Sequence, residues 1–267
     1  MLTRCYLSNF EKLDLCENCE TTTSRPHGQL LSDYFRNIKM TTQTKSTVAK
    51  RVSQIAFGGL LGMALIGAGS AAIDRVDIGQ FSHGNASGWE SKSFVGQTQY
   101  QLQHDGGKTV LAAKAVGSAS GLGKKIKIDL RKTPYVNWSW KVDRGLAQVN
   151  EQSRDGDDFA ARLYVVKSGG ALIWKTKALN YVWSSNQARG ESWPNPYQPK
   201  NSIMLAARGV DDSSGEWVTE KRNVREDLKK FFGKNITSID AIAIMTDTDN
   251  TGREAHASYG DIFFTAE

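Results

Sequence analysis

Cysteine is nearly absent: the chain has three, at positions 5, 16 and 19, and none in the 248 residues that follow. A disulfide framework is therefore excluded beyond residue 19. Cys16 and Cys19 have the spacing of a redox pair or half a zinc site, but no second Cys or His pair completes four ligands. His83, His104 and His256 have no histidine four residues on, and no Walker loop or dinucleotide fingerprint occurs. Gly117-Ser118-Ala119-Ser120-Gly121 puts alanine where a nucleophile elbow needs serine. Zinc, nucleotide and serine-hydrolase chemistry are thus without support. Five prolines and 25 glycines in 267 residues are too few for a low-complexity polymer, and no repeat is visible.

An excess of one charge is also missing where it would matter. The formal charge is +6, but eight of the 34 Lys and Arg and five of the 28 acids lie in the first 72 residues, leaving +3 for the rest. The dense basic run Lys124, Lys125, Lys127, Arg131, Lys132 is broken by Asp129 and apolar residues, and reads as a solvated strand face. Nucleic acid is not an expected partner.

What is present is, first, an uncharged stretch over 52–73 preceded by Lys50 and Arg51 and closing on Gly69-Ser70-Ala71-Ala72. A basic n-region, an apolar h-region and small residues before a cut are the parts of a secretory signal. Counted from Met40 rather than Met1, the n-region has ordinary length. The expected organisation is an upstream or disordered extension over 1–39, a signal peptide over 40–72, and one β-sandwich domain over 73–267. A membrane anchor is the competing reading of the same run, but its glycines suit that poorly. With the signal cleaved no membrane span remains, and the protein is expected to be periplasmic or secreted.

The rest alternates with period two. In 135–142, Val136, Trp138, Trp140 and Val142 take turns with polar residues, one face buried and one wet. Similar alternation marks 159–166, 179–183, 239–245 and 259–264, and shorter strands fit 97–103, 109–115, 125–130, 171–176, 202–207 and 216–222. Many short strands without helical crossovers predict an all-β fold, an antiparallel β-sandwich of the jelly-roll kind. One helix is expected over 224–232, with Asn223 as cap, Glu226 three residues on, an apolar stripe of Leu228, Phe231 and Phe232, and Gly233 as the stop.

Three polar groupings stand at predicted strand ends. They are Asp157-Asp158 before Arg162; Glu220, Arg222 and Asn223 with Asp227; and Asp247, Asp249, Asn250 and Gly252 after the apolar strand. Asp247, Asp249 and Asn250 offer the hard oxygens calcium takes, but a helical-hand loop needs Glu at its twelfth place, where Ser258 stands. Turn formation by Asp and Asn is the competing explanation. Two acids joined across loops, Asp157 or Asp158 with Asp247 or Asp249, could cleave a glycan. Alternatively Arg162 and Arg222 neutralise these acids in an ion-pair network. Trp183, Trp193 and Tyr197 bracket a long loop with amides and Arg189, a surface suited to sugar rings. Trp138 and Trp140 are expected in the core, and Trp193, followed by Pro194 and Pro196, at the surface.

Trp138-Ser-Trp140-Lys-Val142, Gly156-Asp157-Asp158-Phe-Ala-Ala-Arg162, Tyr181-Val-Trp183, Pro196-Tyr197, Arg222-Asn223-Val224, Thr246-Asp-Thr-Asp-Asn-Thr-Gly252 and Tyr259-Gly260-Asp261-Ile262, in that order, resemble the bacterial DUF3047 family. The likeness spans about residues 78–265 and implies an exported protein, the family's function being unknown. The opening part, through Phe81, Gly88-Trp89-Glu90 and Phe94 to Ser118-Ala-Ser-Gly-Leu122, is similar in pattern to galactose-binding-like jelly rolls, which implies that fold and, often, carbohydrate and a structural calcium. The expected function is binding of a glycan or cell-envelope component at strand-end loops. A glycan-cleaving enzyme and a structural envelope protein are the alternatives.

Overall fold

A computed structural model describes residues 74–267; the extension over 1–39 and the signal segment over 40–72 lie outside the described residues. Two sheets face each other. The first contains β1 (Arg75–Gly79), β3 (Gln99–Asp105), β4 (Lys108–Val116), β6 (Tyr135–Arg144), β11 (Val218–Asn223) and β13 (Glu254–Thr265), in the order β11-β6-β13-β4-β3 with β1 also on β13. All its pairs are antiparallel. β13 carries β4 against its first half and β1 against its second, while β6 runs along its other side.

The second sheet contains β2 (Glu90–Val95), β5 (Ala119–Asp129), β7 (Arg162–Lys167), β8 (Lys177–Trp183), β9 (Ser192–Pro194), β10 (Ser202–Arg208) and β12 (Ser238–Asp247), in the order β2-β5-β12-β7-β8-β10-β9. The sandwich is as expected, with one departure: β10 lies parallel to β8. The connection over 184–201 is long enough to carry the chain back to the strand's starting end, which a parallel pair requires.

Between the sheets lies the main core. β6 supplies Val136, Trp138, Trp140 and Val142, each at most 1% exposed, and leaves its alternate residues outside. Trp138 stacks edge-on to Trp140 at 5.3 Å and against Tyr181 of the opposite sheet at 5.2 Å. Burying such rings contributes roughly 1.5–3 kcal/mol per large apolar side chain. The helix α1 (Val224–Phe232) starts where the Asn223 side chain accepts from the Glu226 amide and ends at Gly233, whose φ of 62° is the left-handed turn glycine tolerates.

Some sequence expectations fail. Residues 171–176 form no strand but contain a short 3-10 turn, Ile173–Lys175. β5 begins at Ala119, earlier than the 125 expected, and its first five residues are all buried. Among the described residues no helix is long and apolar enough to cross a membrane.

Candidate functional site

Three connections meet at one rim of the sandwich: the segment 145–161 entering β7, the crossover 184–201, and the loop 248–253 between β12 and β13. Asp157, Asp158, Arg162 and Asp247 are brought together there, each at most 5% exposed. Register explains the approach, since Met245 near the end of β12 pairs with Arg162 at the start of β7. The Arg162 guanidinium donates to both Asp247 oxygens, with Nε to Oδ1 at 2.8 Å, to the Asp157 carboxylate at 3.5 Å, and to the Asp157 carbonyl. It also lies 4.3 Å from the Phe159 ring centre.

Asp158 serves the opposite loop. Its oxygens accept from the Asn250 amide at 3.1 Å, the Asn250 side chain at 3.1 Å and the Thr251 amide at 2.7 Å. Tyr197 closes the circle by donating to Asn250 Oδ1 at 2.7 Å, and Asn195 donates to Asp157 at 3.1 Å. Burial pushes the Asp247 carboxyl well above its usual range, Asp158, Asp157 and Asp249 push it the same way, and Arg162 opposes them. The Tyr197 hydroxyl is raised to about 12 by partial burial and then by Asp157 and Asp249.

Not every expected residue joins this group. Arg222 bonds Asp227 in α1 at 2.8 and 3.1 Å, and Tyr181 donates to the same carboxylate at 2.8 Å. Asn223 is the cap of that helix. Arg222 pairs with Val136 at the start of β6, whereas the end of β6, Arg144, sits opposite His256 next to the rim loop. That is roughly 25 Å of strand. Of the two arginines expected to neutralise the strand-end acids, Arg222 therefore stands apart from the rim: it neutralises Asp227, not Asp157 or Asp249. Trp193, expected at the surface, is 5% exposed. It belongs to β9, stacks on Phe159 at 6.3 Å and donates Nε1–H to the Glu151 carbonyl at 3.2 Å.

Asp158, Asp247 and Asp249 each place an oxygen within 4.8 Å of the others. These are hard donors, the chemistry calcium takes. However, Asp247 already accepts from the Arg162 guanidinium and Asp158 from three N–H groups, so a cation would have to share both carboxylates with fixed donors. Arg162 stands where a metal's charge would be needed, and the residues fit a guanidinium better than calcium.

Next to this anchor opens a cleft of about 170 Å³, lined by Glu151, Asp158, Phe159, Trp183, Ser184, Ser185, Val210, Asp212 and Ser214 among others. Glu151 is fully buried and holds the crossover by accepting from both Ser184 and Ser185 hydroxyls and from the Ser185 amide at 2.5 Å. Burial raises its pKa against these bonds. Asp212 shifts the other way: burial is outweighed by the Gly209 amide and by Arg208, which lies 2.9 Å away. Glu151 and Asp212 were not singled out from sequence: Glu151 stands alone among polar residues, and the pair Asp211-Asp212 was passed over. Trp183 packs on Trp140 at 5.8 Å and presents what remains of its ring at the cleft.

The family model described as a protein of unknown function, DUF3047, matches residues 87–263. No curated protein matches the chain. Solved structures similar to it include the family 30 carbohydrate-binding module of a cellulosomal cellulase of Clostridium thermocellum, 11% identical, covering 72% of this chain and 98% of that one with a TM-score of 0.40. The carbohydrate recognition domain of Emp47p is 11% identical over 72% of this chain and 95% of its own, with a TM-score of 0.39. A family 61 module in complex with β-1,4-galactotriose is 10% identical over 70% and 94%, with a TM-score of 0.34.

Proposed function

The chain belongs to the DUF3047 family of proteins of unknown function, and from that premise we propose that it is an exported binding protein whose rim cleft holds a sugar ring of a glycan or cell-envelope component. The observation that carries this reading is the composition of the cleft. The rim of Trp183 and the exposed Val210 offer apolar surface, and Ser185, Ser214 and Asp212 offer hydroxyl and carboxylate oxygens, in a volume of about 170 Å³. A sugar ring has the same double character, apolar C–H faces edged by hydroxyl groups, and pockets of mixed lining orient such ligands.

Glycan cleavage by Asp157 or Asp158 with Asp247 or Asp249 has less behind it. Asp157, Asp158 and Asp247 are at most 5% exposed, and their oxygens accept from Arg162, Asn195, Asn250 and Thr251. An acid fixed this way staples a loop; it is poorly placed to meet a glycosidic oxygen.

The test is affinity electrophoresis of the full chain through gels containing neutral, acidic or amino-sugar polysaccharides. Ser214→Trp fills the cleft from its exposed lip without touching the anchor. It should reduce retention at least tenfold on whichever polysaccharide the cleft takes, with the melting temperature unchanged. Unaltered retention in that variant refutes the cleft. Absence of retention on every gel leaves a structural envelope role instead.

A further inference from the structure

The outer face of the first sheet is a second surface, apart from the rim cleft. Register places Gln101 of β3 opposite Ala112 of β4, Ala112 opposite Ser258 of β13, and Ser258 opposite Lys141 of β6. Directly opposed residues point to the same face, so this row has a tall wall at each end and a floor of one methyl and one hydroxymethyl group. Gln99 and Gln103, two residues to either side of Gln101, extend the first wall, and all three carboxamides are exposed. Together with Lys114, Asp143 and His256 they enclose a depression of about 250 Å³.

Further along the same face a depression of about 200 Å³ lies over Thr109, Ser139, Thr219 and Gly260. Gly260 keeps this floor low, since a Cβ would displace the Ser139 hydroxyl and raise it. The tip of the β3–β4 hairpin bends over the boundary between the two. Asp105 pairs with Lys141 at 2.7 Å and accepts from Trp217 Nε1 at 2.9 Å, and Lys108 lies 4.5 Å from the Trp217 ring.

On this face Lys108 lies over the Trp217 ring and Asp261 accepts from Ser82, and most of the other charged groups are paired with one another. Lys141 also meets Asp143 at 3.0 Å, and Glu254 takes both Lys114 at 3.0 Å and His256 at 2.8 Å. What the face presents to a ligand is therefore charges mostly held in pairs, beside carboxamides that both donate and accept, hydroxyls, and the half-buried ring of Trp217. Four strands from β3 to β6 span roughly 15 Å, too long for a single ring. We infer that this face binds a neutral glycan chain laid across β3, β4, β13 and β6, independently of the rim cleft.

The experiment runs the full chain through gels containing a soluble β-1,4-glucan, a xylan or a β-1,4-galactan. Ala112→Trp fills the furrow, and Gln101→Ala removes a carboxamide at an exposed position where folding cannot suffer. Both should reduce retention, the first at least tenfold and the second severalfold, while Ser214→Trp leaves the groove's share intact. Unchanged retention in Gln101→Ala and Ala112→Trp overturns the inference, as does retention lost only in Ser214→Trp, which would uphold the rim cleft alone. No retention of the wild type on any neutral gel, or tighter retention on an acidic polysaccharide, also overturns it.

Discussion

Removing the Arg162 guanidinium should cost far more than removing the charge of its partner Asp247. In Arg162→Met, Asp247 loses the donors to both oxygens and keeps only the Phe159 amide at 3.4 Å, while Asp157 loses a cation too. Stranding buried carboxylates in this way costs about 3–5 kcal/mol. At about 2–4 °C per kcal/mol for a domain of this size, the melting temperature should fall by about 6–20 °C. Asp247→Asn differs in kind. Burial and the neighbouring carboxylates already press Asp247 toward its protonated form, and Arg162 keeps Asp157 as a partner at 3.5 Å. The cost should be nearer about 1–2 kcal/mol, that of a weakened buried hydrogen-bond network. The double variant Arg162→Met/Asp247→Asn should melt above the Arg162 single variant, because it removes the stranded charge. Thermal and urea unfolding of the wild type and three variants measure all of this. Chelator or calcium should leave the wild-type curve in place, since the guanidinium supplies the positive charge. The reasoning is refuted if Asp247→Asn costs as much as Arg162→Met, or if chelation lowers the melting temperature and calcium restores it.

Two further expectations concern acid and export. Lys114, then His256, and also Arg144, bonded at 2.8 Å, hold the Glu254 carboxyl at about 2 against its ordinary 4.5, so its stabilising share is complete above pH 4.5 and lost as pH falls through about 2. Melting curves taken across that window should fall less steeply for Glu254→Gln than for the wild type, and parallel curves would contradict this. N-terminal sequencing of the natural protein should begin near residue 73 if the signal is cleaved, and a start at Met1 or Leu2 would dismiss it.

The fold was legible where burial is one-sided. β6 alternates because one face packs between the sheets and the other meets water, and the helix announces itself by Asn223 and Gly233. Where both faces are covered the alternation disappears: the first five residues of β5, Ala-Ser-Gly-Leu-Gly, are buried throughout and carry no period. The acids at the rim were legible as strand-end clusters, and Arg162 as a partner for them, but Arg222 could not be told apart from it. Arg162 and Arg222 look equivalent in sequence, each a few residues from an Asp, and only strand register sends them to different places. The prolines that follow Trp193 suggested exposure, yet a three-residue strand pairing with β10 and the Phe159 ring hide it. Glu151 acts on Ser184 and Ser185, more than thirty residues later, a relation no local pattern carries.

A common device runs through the rim and bears on what can select a ligand there. Asp158 accepts the amides of Asn250 and Thr251, Glu151 accepts that of Ser185, and Asp212 accepts that of Gly209. In a described domain without cysteine, Asp158 and Glu151 join separate loops as cross-links would, through charge-assisted bonds to backbone, while Asp212 closes its own turn. Substituting one of them therefore moves a loop before it alters a ligand contact, and a loss of binding in such a variant would say little about recognition. The side chains free to vary without loosening the frame are those at the lip, Val210 and Ser214, both exposed. Selectivity within the family should then follow the lip, and exchanging Val210 and Ser214 between members is the substitution that would transfer it while the acids stay fixed.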